Sequence, residues 1–210
     1  MDIHKIKQTV DGIPHMSFSQ ASEITSLLLK NRFRNILELG FRHGVSTCYM
    51  AGALDEQSEG HITTVDLTSA QNASPNIDDL LSKLDLKQYV TVYYEPTSYI
   101  WRLMRLLEES LEPRFDFCYI DGAHDWYTDG FAFYLVNQLL VPGGLIVFDD
   151  INWTYSLSPS LKNIERVKRM PVEEKTTQQV RKVFELLVKP NSEYYKFEEK
   201  GDWAYAWKRP

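Results

Sequence analysis

Two short stretches hold side chains suited to chemistry: Asp121-Gly122-Ala123-His124 and Asp149-Asp150-Ile151-Asn152-Trp153. Three carboxylates brought together repel one another, and a hard divalent cation with oxygen ligands relieves that repulsion. Asp121, Asp149 and Asp150 are therefore candidate ligands for Mg2+ or a similar ion, with Asn152 as a neutral ligand or substrate contact. His124 has a near-neutral intrinsic pKa and is a candidate general base beside Asp121. Plainer readings stand next to these. Asp149-Asp150 can form a turn in which Asp150 caps the next helix, and His124 can orient its own loop by bonding a backbone carbonyl.

A second group lies upstream, in Glu38-Leu39-Gly40-Phe41-Arg42-His43-Gly44-Val45-Ser46-Thr47. Its two glycines bracket a tight turn before a helix and allow ligand atoms to approach the backbone. Dinucleotide sites use Gly-x-Gly-x-x-Gly to seat a pyrophosphate; the Gly-x-x-x-Gly spacing here suits a nucleoside without one. Asp66 closes the next apolar run, where a carboxylate can accept hydrogen bonds from ribose hydroxyls. Glu95 closes the run after that. Ser46 and Thr47 open the helix, as ligand contacts or as simple caps, and His43 reads as a solvated loop position.

The elements that must position these groups alternate. Apolar runs at 35–39, 61–65, 89–94, 115–120 and 144–148 read as buried strands. Helical spacing lies between them, as in Ile100, Leu103, Met104, Leu107 and Leu111, and again in Val180, Val183, Phe184, Leu187 and Val188. Ser17-x-x-Gln20 and Thr176-x-x-Gln179 have the form of capping boxes, and Pro142-Gly143-Gly144 that of a turn between helix and strand. Residues 193–198 and 203–207 alternate around Gly201-Asp202, a hairpin signature. The expected fold is α/β: a doubly wound, mostly parallel seven-stranded sheet of the Rossmann-like kind with a C-terminal antiparallel hairpin. One domain is expected over 1–210, made of a helical segment 1–34, a ligand-binding core 35–150, and a loop, helix and hairpin over 151–210.

Bulk properties narrow the function. The 210 residues carry a net charge of −6, and no Lys/Arg-rich run breaks that balance, so nucleic acid is disfavoured as a partner. No apolar stretch reaches bilayer length, and the N-terminus lacks the core of a signal peptide, so a cytoplasmic protein with no membrane partner is expected. Cys48 and Cys118 have no metal-ligand spacing and read as buried, reduced thiols. Small-molecule chemistry remains, and the number of copies in the assembly, monomer or homo-oligomer, is left open.

The order Glu-x-Gly-x-x-x-Gly-x-Ser-Thr, then Asp66, then the two acidic loops, resembles class I S-adenosylmethionine-dependent methyltransferases. Within them it is similar to the small-molecule O-methyltransferase branch of the cephalosporin and macrolide tailoring enzymes. The resemblance covers residues 35 to 150. It implies S-adenosylmethionine as cofactor, with Glu38, Gly40 and Gly44 on its methionine side, Ser46 and Thr47 at its carboxylate, Asp66 at the ribose, Glu95 near the adenine, and Asp121 between cofactor and acceptor. It also implies a metal at Asp121, Asp149 and Asp150, O-methylation of a small-molecule acceptor, and a loop over 151–175 that covers it. Trp126, Tyr127, Trp153 and Tyr155 then serve as core packing or as an acceptor pocket. Some relatives carry a second acid where this chain has Ala123, so His124 substitutes for it, or the acceptor needs no base, or the metal chemistry is lost. Metal-free N-methylation, an inactive nucleoside-binding module and, more remotely, a nicotinamide-dependent oxidoreductase are the competing readings.

Overall fold

The computed structural model describes residues 1–14 and 16–210. The chain opens with α1 (Ile3–Thr9) and α2 (Phe18–Asn31) and then enters β1 (Asn35–Leu39), α3 (Val45–Gln57), β2 (His61–Leu67), α4 (Ile77–Leu84), β3 (Val90–Glu95) and α5 (Tyr99–Glu109). It continues through β4 (Phe115–Ile120), α6 (Trp126–Leu139), β5 (Leu140–Phe148), α7 (Glu165–Lys168), α8 (Val172–Thr176) and α9 (Gln179–Val183), and closes with β6 (Tyr194–Lys200) and β7 (Trp203–Lys208).

The seven strands form one sheet in the order β3-β2-β1-β4-β5-β7-β6. The first five are parallel, and β7 runs antiparallel to both β5 and β6. Strand order reverses between β1 and β4: the chain winds outward through β2 and β3, then returns to the other side of β1. That switch opens a crevice beyond the carboxyl ends of the strands, where ligands of open α/β sheets bind.

Helices cover both faces, which is why β1 is buried at every position after Asn35 instead of alternating. One core layer packs α1, α2, α3 and α4 on the sheet through residues such as Ile24, Leu28, Met50 and Leu80. The other packs α5, α6 and α9 through Leu103, Val136 and Val183. Both cysteines are buried and free. Among the described residues no helix is long and apolar enough to cross a membrane.

Local signals held where packing agreed with them. Ser17 and Gln20 cap α2 reciprocally. Thr176, expected to open a helix, instead ends α8 with its hydroxyl on the Val172 carbonyl, and α9 begins without a side-chain cap. Pro142-Gly143-Gly144 lies inside β5, where the register with β4 jumps from Phe115–Leu140 to Phe117–Leu145, so the extra residues are absorbed as a bulge. Leu111 falls beyond the end of α5 and is exposed, while Leu106 takes the buried place on that helix.

Candidate active site

Three backbone bonds align the strand ends. Gly40 N–H donates to the Val65 carbonyl at 2.8 Å, Asp121 N–H to Leu39 at 2.8 Å, and Asp149 N–H to Ile120 at 2.9 Å. Each residue just past a strand is thereby stitched to its neighbour, and the glycine loop, Asp121 and Asp149 stand side by side. A cavity of about 860 Å³ opens above them. It is walled by the glycine loop, Asp66, residues 97–99, the loop 121–125, Asp149, Asp150, Trp153 and residues 158–161. Trp153, residues 158–161 and Arg166, all from the segment after the fifth strand, supply part of this wall.

The glycine loop is built from beneath by Glu38. This carboxylate is fully buried and accepts from the Ser46, Thr47 and Thr64 hydroxyls at 2.5, 2.6 and 2.6 Å. Burial outweighs those donors and pushes Glu38 up to about 7. The hydroxyls of Ser46 and Thr47 thus face the carboxylate below the helix, and of the two residues Ser46 lines the cavity. Gly40 has φ +91°, and a Cβ there would lie 2.0 Å from the Asp121 carbonyl oxygen. Its glycine is required by the crossing of β1 and β4 before any ligand is considered. Gly44 also has a positive φ and caps α3 through backbone alone. His43 is bonded through Nδ1 to the Pro75 carbonyl at 2.7 Å and is no simple solvated position.

Asp66 accepts from the N–H groups of Phe41 and Arg42 at 2.9 and 2.6 Å and from Leu67 at 2.6 Å. It pins the loop and borders the cavity together with it. Glu95 behaves differently. It is buried, paired with Arg102 at 2.6 Å, and does not line the cavity, whose wall on that side is made by Thr97, Ser98 and Tyr99.

The acid rim gathers a different trio from the one the sequence suggests. Asp121, His124 and Asp150 present ligand atoms within 4.8 Å of one another. His124 Nε2 stands 3.2 Å from Asp121 and 3.4 Å from Asp150. Asp149 lies just beneath: one oxygen receives the Tyr119 hydroxyl and the other the Asp150 N–H at 2.6 Å. Asn152 is not on the rim at all, since it bonds Asp202 and Arg181 at the hairpin turn. His124 and Asp150 both hold positive φ, near 55° and 57°, which turns their side chains toward each other from separate loops.

Electrostatics follow from this crowding. Burial raises Asp121 to about 8, with the charges of Asp149 and Asp150 adding to it. For His124 burial acts against the charged ring, but the bond to Asp121 and the charges of Asp121, Asp150 and Asp129 prevail and lift it to about 9. Asp121 and His124 each favour the charged form of the other, and the protonated imidazole offsets the carboxylates around it. It is the counter-charge of the rim, and a divalent cation on the same carboxylates would take over that duty.

Sequence reasoning missed the supports beneath the rim. The Tyr99 hydroxyl donates to buried Asp129 and accepts from Ala123 N–H at 3.2 Å, while Asp129 also accepts from Asp125 N–H at 3.1 Å. Together they clamp the loop 121–125. The only available signal was the Asp125-x-x-x-Asp129 spacing at a helix start. Of the four aromatics, Trp153 lines the cavity, 5.1 Å from the His124 ring, and Tyr155 backs it at 4.8 Å. Tyr127 is exposed, and Trp126 is no part of the cavity wall.

Comparison with known proteins agrees with this geometry. The methyltransferase-domain family profile matches residues 37–151, from the first strand through both acidic loops. The catechol O-methyltransferase of Niastella koreensis is 33% identical over 144 residues, which span 67% of this chain and 60% of that relative. The O-methyltransferase of tomaymycin synthesis from Streptomyces achromogenes, solved with S-adenosylmethionine, superposes with a TM-score of 0.71 at 18% identity, covering 99% of this chain and 89% of that one. An O-methyltransferase from Bacillus cereus in complex with SAH gives 0.70 at 21%, covering 99% and 90%. The two structures share the fold of this chain, and the profile match over more than half of its length settles the relationship: this chain belongs to the methyltransferase-domain family.

Proposed function

We propose that the protein works as one domain that transfers a methyl group from S-adenosylmethionine to a hydroxyl of a small-molecule acceptor, assisted by a hard divalent cation. One observation carries the reading. The glycine loop with Asp66 and the trio Asp121, His124 and Asp150 open into a single cavity, so a nucleoside site and an acid rim are adjacent. The donor set fits both groups. A cavity of about 860 Å³ is ample for a nucleoside with an acceptor beside it, and the carboxylate oxygens of Asp121 and Asp150 suit Mg2+ or a similar hard ion.

The cofactor supplies a methyl group on positive sulfur, open to in-line displacement. The cation supplies Lewis acidity, which lowers the pKa of an acceptor hydroxyl. The residues do the rest. Gly40 lines the cavity at the cofactor's amino-acid end, with Ser46 nearby, while Gly44 faces Ile77 and shapes the turn. Glu38 and Thr47 hold that loop from below. Asp66, already oriented by three N–H donors, has acceptor capacity left for a ribose hydroxyl. Asp121 and Asp150 would hold the ion, Asp149 fixes the Asp150 backbone, and His124, relieved by the ion of its role as counter-charge, would take the proton that the acceptor hydroxyl loses. Trp153 gives the acceptor a flat wall, and residues 158–161 exclude water. The relative named for catechol and the two buried thiols fit a small aromatic acceptor and a reducing, cytoplasmic setting.

The test is calorimetry with S-adenosylmethionine, S-adenosylhomocysteine and NAD, followed by methyl transfer to catechol with Mg2+ and with chelator. Binding of the sulfonium ligand and Mg2+-dependent product are expected. Preference for NAD would overturn the reading.

A further inference from the structure

The wall opposite the acid rim bears on the charge of the acceptor, an inference that rests on the methyl-transfer reading. Asp66, Asp121, Asp149 and Asp150 crowd one side of the cavity, whereas the other side presents Ser158, Ser160 and Arg166. Residues 161–169 hold Lys162, Arg166, Lys168 and Arg169 against Glu165 alone, in a chain whose net charge is −6. Glu165 is engaged by Lys168 at 3.0 Å. Arg166 forms no ion pair among the described residues. Its Nη2 donates to the hydroxyl of buried Tyr155 at 3.0 Å, and its guanidinium lies 5.4 Å from that ring. One donor thus anchors the guanidinium on a fixed ring, and the remaining N–H groups stay open at the cavity.

A row of rings joins this cation to the rim. Tyr155 lies 4.8 Å from Trp153, which lies 5.1 Å from His124. We propose that Arg166 receives an anionic group of the acceptor, a carboxylate or a phosphate, while the acceptor's planar body lies along Trp153 and its hydroxyl reaches Asp121 and Asp150. A planar guanidinium fork matches either anion in bidentate fashion. A neutral acceptor would leave this guanidinium without an anionic partner in the cavity. The basic stretch around Arg166 would also draw anions toward an otherwise acidic protein.

Calorimetry on the protein saturated with S-adenosylhomocysteine tests this without turnover. The probes are 3,4-dihydroxybenzoate, its neutral amide and the matching aryl phosphonate, against wild type, R166Q and R166K. The acid or the phosphonate should bind about ten-fold or more tightly than the amide in wild type. That gap should close in R166Q and reopen in part in R166K. The tighter of the two anions identifies which kind of group the site is built for. Equal binding of acid and amide to wild type, or a gap that survives in R166Q, overturns the proposal while leaving methyl transfer intact. Failure of S-adenosylhomocysteine to bind overturns both.

Discussion

Replacing Glu38 with glutamine isolates the strain under the glycine loop. Glu38 is fully buried, and folding raises it from 4.5 to about 7. Its folded form therefore retains a proton that the unfolded chain releases. The stability this group contributes is fully present below pH 4.5, is lost as pH rises through about 7, and is constant above that. A shift of about 2.5 units at about 1.4 kcal/mol per unit gives a total loss of about 3 kcal/mol, of which about 2.5 falls between pH 5 and pH 8. Glutamine has the same shape and no charge, and the Ser46, Thr47 and Thr64 hydroxyls can donate to its oxygen or accept from its nitrogen.

Denaturant unfolding of wild type and E38Q at pH 5, 6, 7 and 8 provides the readout. Other titrating groups, Asp121 and Asp129 among them, act in both proteins and cancel in the difference. The difference should move toward E38Q by about 2.5 kcal/mol from pH 5 to pH 8, with the steepest change below pH 7. A difference flat within about 0.5 kcal/mol would refute the reasoning, because a carboxylate ionised throughout that range cannot be paying a burial penalty that varies with pH.

Asp66→Ala removes an acceptor from the proposed ribose site and two bonds from the glycine loop, so S-adenosylhomocysteine affinity should fall by about 1–3 kcal/mol in calorimetry, and unchanged affinity would exclude Asp66. Asp150→Asn should cut Mg2+-dependent turnover at least about ten-fold with cofactor affinity nearly unchanged, as read by steady-state kinetics beside calorimetry. Tyr99→Phe frees the Ala123 N–H and Asp129 together, and should cost about 1–3 kcal/mol of stability in thermal unfolding and lower turnover by loosening the rim. Gly40→Ala should give little folded protein by circular dichroism, since its Cβ would meet the Asp121 backbone at 2.0 Å.

The sheet was legible because its signals are repeated and mutually consistent. Apolar runs mark β1 through β5, and Gly201-Asp202 sets the hairpin that pairs β7 with β5. Local chemistry failed where long-range contacts decided. Thr176 has the right spacing for a cap but lies in a helix that ends there, and Pro142-Gly143-Gly144 is accommodated by a bulge. Within the site, the strand-end acids were legible from their order alone. Their orientation was not, because it depends on residues far along the chain: Arg102 claims Glu95, Tyr119 claims Asp149, and Arg181 claims Asn152. A side chain's type can be read from sequence, but the partner that will take its hydrogen bonds cannot.

Ala123 shows how one such partner changes the chemistry. Some relatives resembled by this chain place a second acid at this position. Here the Ala123 methyl packs against the core layer under α6, and its N–H is committed to the Tyr99 hydroxyl. That hydroxyl serves Asp129, itself buried and raised to about 6 by burial. A carboxylate at 123 would add a like charge near Asp129, which burial already raises, and would push both toward the protonated form. Besides Asp121, the acid that faces His124 comes from beyond β5. Asp150, turned by its positive φ, reaches His124 at 3.4 Å from the opposite loop. His124 thus sits between an acid of the β4 loop and an acid of the β5 loop as the group that balances them.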